Sequence, residues 1–376
     1  MAILNPRQAA AIAAGVYDLR DDDLTTIRQF KRNALGTQGL FSIDDASRFT
    51  GRSGVQLFNT LSGFGFIAAG EGQFAGDVLI ATRGTDLAVD WLTDLNIGWK
   101  AGPSGTIVHA GFNATWKSFA PVLQKFLAGR NPTRIHCVGH SLGGALAFLN
   151  ADYIAANRMA EVRVYTFGAP RTGLQPFARQ LTERVGTDNI LRVSHPSDPV
   201  PMIPLFPFHH VPFEAEELQI AQTTKSSISG AAHKMRDSYI PGVADVTDWE
   251  QLRVRPRSRL EIDSLLDGAA AGDQKGSASL LDKIKRVLYY FLNGVSLTFS
   301  VGFTVLDQLA SMLARAAQVT KEMSRGIEML VGMIFRFLGR TALTGVQLTT
   351  AFLRWVLDLL FNAVRLAAHR AVSLLR

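Results

Sequence analysis

A chain of 376 residues, 47% of them hydrophobic, is long enough for one large domain with a smaller appendage or for two domains, and it has ample apolar material for a core. Its net charge of +7 is unevenly placed: the residues from Asp282 onward hold twelve Lys/Arg against five acids, whereas the first 281 balance at 27 of each. Positive charge interleaved with apolar residues points to a membrane surface and away from nucleic acid, and a single cysteine, Cys137, excludes an intrachain disulfide.

Met1 to Tyr17 carries Arg7 as its one cation and no sustained apolar run, so no classical secretory signal is expected. The expected location is the cytoplasm or a membrane surface, with a non-classical, contact-dependent route for any export. Asn5-Pro6 reads as an N-cap with proline at the first helical position, opening an alanine-rich helix to about Asp18; a second helix is predicted over Asp22 to Asn33. Phe64 to Ala69 and Val78 to Arg83 read as strands around a loop with Gly70, Gly72 and Gly76. After Val108-His109-Ala110-Gly111-Phe112, a helix is predicted from about Ala114 to Leu127.

Arg134 to Gly144 is the most informative stretch. The apolar run Ile135 to Val138 meets Gly139-His140-Ser141-Leu142-Gly143, and an Ala/Leu-rich helical segment follows to Ala155. Strand, tight turn and helix with a serine at the apex form a nucleophile elbow, in which the residues two before and two after the serine must be small. Such a serine sits at a helix N-terminus, where free N–H groups can receive developing negative charge. Val162 to Phe167 and Ile190 to Val193 are further strands, the second running into Ser194-His195-Pro196-Ser197-Asp198-Pro199. Strands alternating with helices predict an α/β fold with a mostly parallel sheet.

A serine hydroxyl needs a histidine to take its proton and a carboxylate to orient that histidine. Asp198 directly follows a strand and is the best-placed acid, while His233, His209 and His210 follow it in the chain. With Arg83-Gly84-Thr85, the His109 motif, the elbow, Thr166 to Arg171, Asp198 to Pro201, His210-Val211 and His233 in this order, residues 15–245 resemble the class 3 lipases. That resemblance implies an α/β-hydrolase fold and a lipase or phospholipase with Ser141 as nucleophile, Asp198 as orienting acid and His233 as general base. It also implies an oxyanion hole from Leu142 and Thr85, a structural role for His210, and no metal or cofactor. His109 and His140 are expected to shape the site, and Arg83 to pair with Asp86. Trp91, Leu92, Leu95 and Ile97 are either core or a small lid.

The expected division is a hydrolase domain over 1–265, a linker over 266–279 and a basic, mainly helical tail over 280–376. Val287 to Leu306 is twenty residues without formal charge, long enough to span a bilayer, yet Val295, Leu297, Phe299, Val301, Phe303 and Val305 alternate as in a strand. Further on, Leu309, Leu313, Ile327, Leu330 and Ile334, then Val356 and Leu360, recur at helical spacing. Residues 283–376 are therefore expected either to meet a membrane or to pack as a bundle. A lipase-like domain with a membrane-seeking appendage also resembles bacterial antibacterial lipase effectors, which implies lipid as substrate and an inhibitory or immunity protein as partner. A membrane-inserting toxin and a lipid acyltransferase are the alternative functions.

Overall fold

Residues 2–19, 39–42, 48–53, 60–84, 99–204, 207–215, 217–220, 227–254, 275–292, 305–341 and 345–373 are described by a computed structural model. The first helix, α1 (Pro6–Gly15), starts where the sequence places it. The Asn5 side chain accepts the Gln8 N–H at 2.9 Å and the Gln8 side chain accepts the Asn5 N–H at 3.0 Å, a reciprocal cap. The predicted helix over Asp22 to Asn33 lies outside the described residues.

The strands β1 (Phe41–Ser42), β2 (Arg48–Ser53), β3 (Thr60–Gly70), β4 (Val78–Thr82), β5 (Trp99–Ala101) and β6 (Ile107–His109) precede α2 (Ala110–Leu127). Then follow β7 (Arg134–His140), α3 (Leu142–Ala156), β8 (Glu161–Phe167), β9 (Gly173–Leu174), α4 (Gln175–Val185) and β10 (Ile190–Ser194). The short strands β11 (Phe208–His209), β12 (Glu217–Gln219) and β13 (Arg253–Val254) complete this part of the chain.

Among the described residues the main sheet runs β1-β3-β4-β7-β8-β10-β12-β13, with β2 also on β3. The pairs β4/β7, β7/β8, β8/β10 and β10/β12 are parallel, and antiparallel strands lie at both margins. Every residue of β4 and β7 is buried, as expected of central strands covered on both faces. One face packs on α1 through Leu79, Ala81, Val138, Tyr165, Phe167 and Val193. The other meets α3, whose residues from Leu142 to Asp152 are all buried because α2 and α4 flank it. This is the expected α/β-hydrolase arrangement, with the elbow between the central strand β7 and the central helix α3. A small second sheet, β11-β9-β6-β5, lies off this path.

The chain divides into two compact units, residues 1–221, 230–255 and 368–376, and residues 222–229 and 256–367. The second contains α5 (Ala278–Leu292), α6 (Val305–Ala316), α7 (Lys321–Phe337) and most of α8 (Thr350–Ser373). Of the expected linker 266–279, residues 266–274 lie outside the described residues. Its end is not linker: the Ser277 hydroxyl accepts the Leu280 N–H at 3.3 Å and caps α5, which begins at Ala278.

The apolar stripes of α6 to α8 face inward: Leu309, Leu313, Ile327, Leu330, Ile334, Val356 and Leu360 are each at most 1% exposed. Gly326 of α7 lies against the Phe291 ring of α5. The uncharged stretch Val287 to Leu306 begins within α5 and ends in α6, and 293–304 lie outside the described residues. Among the described residues no helix is long and apolar enough to cross a membrane.

Candidate active site

The elbow is built by close approach. Ser141 has φ 58° and ψ −133°, a left-handed conformation that a non-glycine residue adopts only when its surroundings impose it. A Cβ on Gly139 would collide with the Gly143 carbonyl, and one on Gly143 with the Thr82 carbonyl, so the two glycines let β7, β4 and α3 converge beneath the serine. The Thr82 hydroxyl donates to the Gly143 carbonyl at 2.7 Å and ties β4 to the turn. Ser141 N–H donates to the Phe167 carbonyl at 3.0 Å, which holds the turn against the end of β8.

Asp198 and His233 reach Ser141 from loops beyond β10 and β12. His233 Nε2 is 2.9 Å from Ser141 Oγ, and His233 Nδ1 is 2.8 Å from Asp198 Oδ2. All three side chains are fully buried. A carboxylate at Nδ1 requires the proton there, which leaves the Nε2 lone pair facing the serine hydroxyl. Asp198 is itself anchored: its Oδ1 accepts the Val200 N–H at 2.9 Å and its Oδ2 accepts the Tyr239 hydroxyl at 2.7 Å. Tyr239 in turn accepts the His195 N–H at 3.2 Å. Burial and the neighbouring Asp198 charge push the Tyr239 phenol well above its ordinary range, so it stays a donor. Gly168, with φ 57°, is wedged under this cluster; a Cβ there would lie 2.8 Å from Asp198 Oδ2 and 3.1 Å from His233 Nδ1.

His140 forms a second layer. The Gly84 N–H donates to the Tyr17 hydroxyl at 3.1 Å, so that hydroxyl directs its own proton to His140 Nδ1, 2.8 Å away. His140 must then carry its proton on Nε2, which donates to the His233 carbonyl at 2.7 Å. The two rings lie 4.6 Å apart, tilted by 31°. Burial, and next the nearby His233, hold the His140 imidazolium well below the usual range, so His140 is a neutral, fully bonded spacer.

Among the residues expected at the site, Ser141, Asp198 and His233 come together, and Leu142 opens α3, where its N–H is one of those with no partner inside the helix. Thr85, Asp86 and the patch Trp91, Leu92, Leu95 and Ile97 lie outside the described residues; the preceding Gly84 packs against the Ser141 side chain. The Arg83 guanidinium bonds the Gly84 carbonyl at 2.8 Å and lies over the Phe64 ring. Of the rival histidines, His195 takes the Ser197 N–H on its ring and His209 packs on Phe213. His109 packs between Phe112 and Phe208, and His210 directly follows β11. Tyr17 and Tyr239 were not legible as site residues, since a single tyrosine in an apolar segment carries no motif.

Residues 79–208 match the class 3 lipase family. The chain is 33% identical over 142 residues to the secreted mono- and diacylglycerol lipase 1 of Fusarium solani, covering 36% of this chain and 42% of that protein. It is 30% identical over 186 residues to phospholipase A1-II 2 of Oryza sativa subsp. indica, covering 38% and 45%. With the toxin TseL of Vibrio cholerae it shares 35% identity over 118 residues, 30% of this chain and 18% of the toxin. The chain thus spans about half or less of the length of these curated relatives. Among solved structures, a lipase from Rhizopus microsporus var. chinensis is 24% identical, with a TM-score of 0.42, over 57% of this chain and 73% of that one. The similarity to class 3 lipases thus rests on residues 79–208, which hold the Ser141 elbow and Asp198, while His233 lies beyond them.

Proposed function

We propose that the protein is a serine carboxylester hydrolase that cleaves acyl esters of lipids. The observation that carries this reading is the unbroken hydrogen-bond path from Ser141 Oγ through His233 to Asp198, backed by Tyr239. As the acyl carbonyl approaches, His233 Nε2 takes the Ser141 proton while Oγ bonds to the carbonyl carbon. Asp198 stabilises the imidazolium through Nδ1–H. The oxyanion forms beside the Leu142 N–H, and one such donor lowers the barrier by roughly 3 kcal/mol; Thr85, outside the described residues, is the second donor that the resemblance implies. The ester C–O bond then breaks, the alcohol leaves with the proton from Nε2, and water repeats the sequence to release the fatty acid and restore Ser141.

Acylglycerols and phospholipids are the substrate classes, as the names of the lipase and phospholipase relatives suggest. The excess positive charge from Asp282 onward brings the enzyme to membrane lipid. Similarity to a protein named as a toxin favours delivery into another cell by a non-classical route, which in turn requires an inhibitory partner in the producing cell.

The chemistry is tested with a fluorophosphonate, which phosphonylates activated serines with loss of fluoride. The reading predicts one adduct, located at Ser141 by peptide mass spectrometry, formed together with loss of short-chain ester hydrolysis. An unlabelled protein, or labelling that Ser141→Ala does not remove, contradicts it.

A further inference from the structure

The described helices of the second unit fold their apolar faces inward, so among the described residues attraction to a membrane comes from what remains outside. Among the described residues, seven large hydrophobic side chains are exposed, and five of them, Tyr290, Val319, Met329, Trp355 and Leu366, lie in this unit. Two stand on one face of α8. Trp355 is 43% exposed and Leu366 is 53% exposed. They are eleven residues apart, which is three helical turns to within about 20° and places them on one line about 16 Å apart.

Each is preceded by an arginine, so Arg354-Trp355 repeats as Arg365-Leu366 along the same stripe. Both arginines are exposed. Arg354 pairs with Asp307 of α6, and the acid on the intervening turn, Asp358, is half-buried and accepts the Asn362 amide at 3.1 Å. Arg365 has no ion pair among the described residues. Trp355 is braced at its base by Phe335 of α7 and Phe352 of α8, both with ring centroids 5.9 Å away, so its ring is held at the surface. A helix lying in a bilayer interface has this composition: an indole at headgroup depth, an aliphatic side chain beside it, and cations for lipid phosphates.

We propose that the outer face of α8, through Trp355, Arg365 and Leu366, is a docking surface for anionic bilayers, and that the bundle binds while folded. The occupant is a membrane because the stripe alternates cations with large apolar side chains and belongs to the part of the chain that holds the whole excess of positive charge. Nucleic acid would use the charge and leave Leu366 without a role. The proposal rests on the lipid-hydrolase reading only for its purpose.

The test uses full-length Ser141→Ala, which stops turnover, and measures co-sedimentation with vesicles of phosphatidylcholine alone or mixed with phosphatidylserine. Tight binding is expected on the mixed vesicles and weak binding on the neutral ones. Arg365→Glu should weaken the anionic case about tenfold. Trp355→Ala or Leu366→Gln should weaken both cases, and unchanged thermal melting of each variant shows that folding is intact. Binding that none of the three substitutions reduces overturns the proposal. So do concentration-dependent dimers that Leu366→Gln dissociates, or binding to DNA that competes away the vesicles and survives Leu366→Gln. Short-chain ester hydrolysis by the same substitutions on the Ser141 background is expected at the unsubstituted rate. Absence of ester hydrolysis from the unsubstituted protein would strike the catalytic reading and leave the sedimentation result standing, whereas its loss only on these substitutions would overturn their assignment to docking alone.

Discussion

Tyr239 hands its proton to the one carboxylate oxygen that also holds His233, so its removal separates anchoring from proton transfer. Tyr239→Phe should keep the fold and lower kcat/KM for a soluble ester on the order of tenfold, the effect of losing one hydrogen bond to a buried charge. Asp198→Asn should cost on the order of 10,000-fold, because an amide favours the wrong tautomer of His233. Tyr17→Phe tests the second layer. Without that hydroxyl, the His140 tautomer and the Gly84 N–H both lose their partner, and kcat should fall while KM for a short ester stays near its original value. An unchanged kcat would reduce His140 to packing.

At the scale of the elements, β7 carries two histidines four residues apart on one face, each reached by a tyrosine. At the site end Tyr17 meets His140; at the other end Tyr165 meets His136 Nδ1 at 3.2 Å, and Asp77 Oδ2 lies 3.1 Å from His136 Nε2. The Leu4 N–H completes the lower chain by donating to Tyr165 at 3.3 Å, which fastens the segment before α1 to the sheet. Burial, opposed by Asp77 and aided by Arg134 and Arg163, lowers the His136 pKa to about 4. The unfolded chain therefore takes up this proton first as pH falls. The associated stability is complete above pH 6.5 and is lost towards pH 4, by about 3 kcal/mol for a gap of this size. Denaturant melts of the wild type and His136→Asn across this window should show the variant with the shallower pH dependence. Gly143→Ala should destabilise by roughly 1–3 kcal/mol through its contact with the Thr82 carbonyl, measured in the same way.

The elbow, the strands that flank it and the α1 cap were legible because each rests on local chemistry: small residues at a turn, a capping side chain, an apolar run of strand length. Tyr17 and Tyr239 were not, since their hydrogen bonds join residues 123 and 41 positions away and leave no local trace. The end of the expected linker was misread for a similar reason. Gly276-Ser277 has turn composition, and only the Leu280 N–H bond turns Ser277 into a cap.

For the molecule as a whole, the division of charge sets the roles: a charge-balanced first 281 residues holding the Ser141 cluster, and a basic remainder with Trp355 and Leu366 on its surface. If damage to a bilayer comes from hydrolysis, Ser141→Ala should bind vesicles yet release little trapped dye. Full leakage by that variant would support the membrane-inserting alternative. The most direct measurement is incubation of the protein and of Ser141→Ala with defined phospholipids and acylglycerols, followed by identification of the products. Free fatty acid with the matching lysolipid or partial glyceride from the wild type alone is the predicted result; no released fatty acid from any of these lipids, or equal release by Ser141→Ala, would contradict it.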